Sequence, residues 1–83
     1  MSTRPDHPRT NLNNLLQAVY GPAAPDHVQW DVSSKGPPNC PTWSATIYVD
    51  DMKYGYAQAR TRGAAQDSAA QQACDHLRRE RLT

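Results

Sequence analysis

The sequence has no phenylalanine, a single isoleucine, five leucines and four valines among its 83 residues. Eleven alanines, two tryptophans and four tyrosines supply much of the 37% that is hydrophobic. Such a chain can build one domain with a small core, not two domains. An enclosed cofactor pocket of ordinary size would take too much of that interior, so neither a cofactor nor a small-molecule substrate is expected. Long apolar runs are missing, which excludes a bilayer-spanning helix and a membrane partner of that kind. The opening residues, Met1 to Pro8, lack an apolar stretch and so do not form a secretory signal. An excess of one charge is missing too. Nine Lys and Arg against eight Asp and Glu leave a net charge of +1, which neither demands nor excludes nucleic acid.

Cysteine is scarce. Cys40 and Cys74 allow at most one internal bridge, and without an export signal they read as free thiols in an intracellular, reducing compartment, cytoplasmic or nuclear. A zinc site needs four soft ligands at short spacing, and Cys74 with His76 is half a set. Catalytic constellations are lacking as well. Asp50 and Asp51 are adjacent and point apart in a strand. Cys74, Asp75 and His76 are sequential on a helix, where neighbours one or two apart do not face each other. No phosphate-cradling glycine loop occurs. An enzyme is not expected.

What is present is patterned. Residues 1–9, with Pro5 and Pro8, read as a flexible N-terminal tail, and residues 10–81 as the domain. Leu12, Leu15, Leu16 and Val19 fall on one helical stripe, with Thr10 or Asn11 able to cap its start and Gly21-Pro22 ending it. Residues 21–27 read as a loop. Val28, Trp30 and Val32 then alternate with polar residues, as do Trp43, Ala45, Ile47 and Val49. Period two marks two strands with one buried face each. Between them Gly36, Pro37, Pro38, Asn39, Cys40 and Pro41 form a rather rigid loop, because three prolines remove donors and fix φ. Asp50-Asp51 marks a hairpin turn into a third strand, roughly Met52 to Ala59. Gly55 there marks a bulge or a close approach, and simple alternation puts Met52, Tyr54 and Tyr56 on one face.

Thr61 is a natural N-cap for a second helix running from about Arg62 to about Arg79. Its buried stripe is Ala65, Ala69, Ala73 and Leu77, flanked by Ala70 and Cys74. A face of methyl groups lets the helix lie very close to a sheet, and the two tryptophans fill the volume left open. The order helix, three strands, helix implies an α+β fold, α-β-β-β-α, with two helices packed on one face of a three-stranded antiparallel sheet.

At this point the residues resemble a double-stranded RNA-binding domain. Gly36-Pro37-Pro38-Asn39-Cys40-Pro41-Thr42-Trp43 is similar to the family's loop of Gly-Pro, a His, then an aromatic four positions later. The run from Gly55 to Gln66 resembles spaced glycines leading to a Ser/Thr, two lysines, an alanine and a third lysine. Ala69-Ala70, Ala73 and Leu77 sit where the family's second helix keeps small residues and a closing leucine, and Leu12-Asn13-Asn14-Leu15 resembles the start of its first helix. The likeness covers about residues 11–80. It implies binding of duplex RNA by shape, through 2′-hydroxyls and phosphates across two minor grooves and the major groove between them.

The departures bear on function. The three lysine positions hold Arg62, Gly63 and Gln66, so one of three cations is kept, and the loop histidine is Asn39. Phosphate contacts set affinity through counterion release, so weak binding without sequence preference is expected. Arg60 and Arg62, in a stretch free of acids, compensate in part, and Lys35 and Lys53 do so if they face the same way. Arg78, Arg79 and Arg81 sit at the far end of the second helix, where cations suit its dipole.

The candidate RNA-binding residues are Asn13, Asn14, Gln17, Pro38, Asn39, Arg60, Thr61, Arg62 and Gln66. Five of them have a plainer reading. The amides of Asn13, Asn14 and Gln17 suit solvent as well as 2′-hydroxyls. Asn39 suits a turn that bonds its own backbone as well as a groove. Thr61 is explained by capping alone. The resemblance also implies a rival role, because members of the family pair with proteins, including copies of themselves. A protein-interaction or homodimerisation module that has lost most RNA binding would use the third strand, with Tyr48, Tyr54 and Tyr56 as its candidate interface.

Overall fold

The computed structural model describes residues 7–82. Helix α1 spans Pro8–Tyr20, and a 3-10 turn, Gly21–Ala23, leads into a one-turn helix α2, Ala24–His27. Strands β1 (Val28–Lys35), β2 (Thr42–Val49) and β3 (Met52–Ala59) follow, and helix α3 (Arg62–Leu82) closes the chain. The sheet is antiparallel in the order β1-β2-β3. Both long helices lie on one face of it, with α3 along β3 and β2 and α1 beside α3. The α-β-β-β-α architecture is as the patterning implied.

Three local departures have physical causes. First, α1 starts at Pro8, two residues before the expected Thr10, and neither Thr10 nor Asn11 caps it. Proline at the first helical position loses nothing, since its missing N–H would have had no intrahelical partner. Of the tail expected over residues 1–9, residues 1–6 lie outside the described residues, while Pro8 and Arg9 are helical. Second, residues 21–27 are mostly helical turns and not open loop, seated by Ala24, which is buried in the core.

Third, β3 carries a bulge. Ile47 pairs with Gly55, yet Tyr48 pairs with Lys53, so Tyr54 is an extra residue without a partner on β2. The bulge turns Tyr54 under α3, where its hydroxyl donates to Glu80 Oε1 at 2.8 Å and its ring stacks on His76. The expectation that Met52, Tyr54 and Tyr56 share a face is therefore corrected. Tyr54 is 9% exposed, whereas Tyr56 and Met52 are exposed at 42% and 56%.

The core follows the predicted stripes. Leu12 and Leu16 of α1, Ala45, Ile47 and Val49 of β2, and Ala65, Ala69, Ala70, Ala73, Cys74 and Leu77 of α3 are all buried. Trp30 and Trp43 pack against this cluster from its border. The alanine face does what methyl groups permit. A Cβ on Gly55 would lie 2.2 Å from the Ala69 carbonyl oxygen, so strand and helix backbones meet there directly. Of the two readings of Gly55, the close approach holds at Gly55 itself, while the bulged residue is its neighbour Tyr54.

The far end of the sheet is pinned by polar contacts. Asp50 and Asp51 turn the β2–β3 hairpin with φ of 53° and 67°, the left-handed pair that a two-residue hairpin needs. The Asp50 carboxylate accepts from the Tyr20 hydroxyl at 2.7 Å and bonds His27 Nδ1, while the His27 ring stacks on Tyr20. This ties the end of α1 and α2 to the turn.

Candidate nucleic-acid interface

The opposite end of the sheet gathers most of the candidate residues. The β1–β2 loop, residues 36–41, leaves β1 at Lys35 and enters β2 at Thr42, which pair with each other. Trp43 pairs with Ala59, so β3 ends beside this loop and hands the chain to Arg60, Thr61 and the start of α3. Gly36 adopts a φ of 101°, and the Cys40 N–H donates to the Pro37 carbonyl at 3.0 Å, closing a tight turn. Asn39 sits in that turn, exposed, and among the described residues its side chain makes no hydrogen bond. The turn is held by backbone and proline, leaving both the donor and the acceptor of Asn39 open. Pro38 is exposed beside it.

Thr61 is the N-cap of α3, its Oγ1 accepting from the Ala64 N–H at 3.1 Å. Arg60 and Arg62 flank it and are exposed. Gln66, one turn further along, is partly buried and accepts from Arg9 Nη1 at 3.3 Å. Arg9 Nε also pairs with Asp67 at 2.8 Å. These contacts hold the first turn of α1 against the first turns of α3. The far ends of α1 and of the sheet meet at Tyr20 and Asp50, so the front half of α1 stands at the loop end. Asn13, Asn14 and Gln17 are exposed on α1, and Asn13 and Gln17 line a shallow hollow of about 390 Å³ between α1, α2 and the Trp30 edge of β1.

The cations divide by end. Lys35 stands at the base of the loop, at the same end of the sheet as Arg60 and Arg62 but on the opposite edge strand. Lys53 does not. It pairs across from Tyr48 near the hairpin turn, with its ammonium 5.7 Å from the centroid of the Tyr56 ring. Arg78 and Arg79 lie on the last turns of α3. Arg9 is the residue that sequence reasoning missed, because it fell within the supposed tail. The signal was Pro8, whose fitness for the first helical position would have placed Arg9 on the helix.

A model of the family described as the double-stranded RNA binding motif matches residues 8–77. The chain belongs to that family. The family is one of RNA-binding domains, and at that level the function is binding double-stranded RNA, with duplex RNA as the partner. No curated protein matches the chain. The loop, the capped α3 and the alanine face on which the resemblance rested are all present in the structure. No helix among the described residues is long and apolar enough to cross a membrane.

Of the tyrosines considered for a protein interface, Tyr54 is removed by the bulge, Tyr48 is partly buried and Tyr56 is exposed. The Tyr56 N–H, on the open edge of β3, already donates to Gln72 Oε1 of α3 at 3.0 Å. That contact blunts the edge as a template for a second strand.

Proposed function

We propose that this domain binds double-stranded RNA weakly and without sequence preference, by shape. The amides of Asn13, Asn14 and Gln17 meet 2′-hydroxyls in one minor groove. Pro38 and Asn39 enter the next, and Arg60, Thr61, Arg62 and Gln66 face the phosphates between. The observation that carries this reading is the convergence of the β1–β2 loop, the start of α3 and the front of α1 at one end of the sheet, with Lys35, Arg60 and Arg62 at that end. Two exposed or buried free thiols, Cys40 and Cys74, suit an intracellular setting.

Arg62→Ala tests the reading in a binding titration against several duplexes of different sequence. Phosphate contacts carry no base code, so affinity should fall by a similar factor for every duplex, and the salt slope should shrink by about one. A loss confined to one sequence, or no loss, would contradict it. The partner-binding alternative draws its support from the cations missing at Gly63 and Gln66, and it gains if the intact chain binds no duplex at low salt.

A further inference from the structure

We infer that Arg9 is a phosphate-contacting cation of this face, and that Asp67 attenuates it by occupying the guanidinium until a phosphate takes its place. The inference rests on the duplex-RNA reading above. Its ground is where Arg9 reaches. Arg9 Nη1 is 3.3 Å from Gln66 Oε1, and Nη2 lies 3.9 Å from where a Cβ on residue 63 would stand. A side chain from α1 thus covers both α3 positions, 63 and 66, at which the cations were found wanting.

Asp67 is the first acid after Asp51 along the chain, and it pairs with Arg9 Nε at 2.8 Å. The two side chains are 50% and 43% exposed, so the pair is solvated and weak. Exchanging carboxylate for phosphate therefore costs little. A guanidinium has five donors, and two of them suffice for the contacts to Asp67 and Gln66. Arg9 and Asp67 also line a polar hollow of about 330 Å³ with His7, Thr10 and Asn13. One of the minor-groove amides thus shares a surface with this cation. In the free domain the pair is neutral. In the complex Arg9 turns to phosphate, and Asp67 remains beside it as an opposing charge.

The test is a double-mutant cycle with Arg9→Gln and Asp67→Asn, read by fluorescence anisotropy on a labelled RNA duplex of about 20 base pairs, longer than the ~16 such a domain spans. Asp67→Asn should tighten binding about two- to fivefold, the range that one exposed ion pair commands, and steepen the salt dependence. Arg9→Gln should weaken binding by a similar factor. The gain from Asp67→Asn should vanish in the Arg9→Gln background and persist with Arg9→Lys. Circular dichroism melts should show all variants folded; if Arg9→Gln does not fold, Arg9→Met takes its place as the charge-removing variant, and if Asp67→Asn does not fold, Asp67→Ser takes its place. An Asp67→Asn gain that is equal with and without Arg9 would reduce it to general charge repulsion and overturn the inference, as would no gain. If neither the unmodified chain nor Asp67→Asn binds duplex at low salt, the RNA reading falls and takes this inference with it. Binding by the unmodified chain without a gain overturns the role of Arg9 alone.

Discussion

Gly55 is the position where the smallest change should do the most damage. A methyl group there would sit against the Ala69 carbonyl, a backbone atom that cannot swing aside without lifting α3 from the sheet. Gly55→Ala should cost about 3 kcal/mol, at the upper end for overpacking, read as a lowered urea midpoint. A midpoint unchanged within error would show that helix and strand can separate freely. Cys74 offers a second test at this scale. Burial raises its thiol pKa above the ordinary range, the Arg78 charge opposing and Asp75 adding to the effect. The folded state thus holds its proton longer than the unfolded one. This contribution to stability is intact below the unfolded pKa and is lost as pH rises from there through the raised folded-state pKa, on the alkaline side. At neutral pH an aromatic disulfide reagent should label Cys40, which is exposed, and spare Cys74 until the chain is denatured. Rapid labelling of both thiols in the native protein would contradict the burial of Cys74.

Among the elements, α3 depends on its cap. Thr61→Ala removes the acceptor for the Ala64 N–H and should cost about 1 kcal/mol. Thr61→Asp keeps an acceptor and adds a negative charge. It should hold the melting temperature while weakening duplex binding, if a phosphate approaches this turn. Equal binding by Thr61→Asp and the unmodified chain would leave Thr61 a cap only. The helix stripes, the strands and this cap were legible because each rests on residues near in sequence: Leu12 with Leu16, Ala65 with Ala69, Thr61 with Ala64. The bulge at Tyr54 was not. Strict alternation cannot reveal which of two adjacent residues loses its partner, and the helix above decides it through Glu80 and His76. The one-turn α2 was hidden for a similar reason, since burial of Ala24 in the core fixes it and no local pattern does.

At the level of the whole molecule, a net charge of +1 conceals an uneven distribution. Lys35, Arg60 and Arg62 stand at the loop end of the sheet, joined by Arg9 across the helix pair. Arg78 and Arg79 lie at the other end of α3, and Lys53 lies beside the Tyr56 ring near the hairpin. Composition sums these charges and cannot show that they separate. The gathering of the loop with the start of α3 could be read from the order of strands, but the cross-helix reach of Arg9 depends on packing between residues 58 apart in sequence. The most direct measurement is a titration of the intact chain against duplex RNA, duplex DNA and single-stranded RNA at two salt concentrations. Recognition by shape and phosphate predicts binding to duplex RNA above the other two, with a shallow salt dependence equivalent to about two to four cations. Binding that favours single strands, or no duplex binding at low salt, would contradict it.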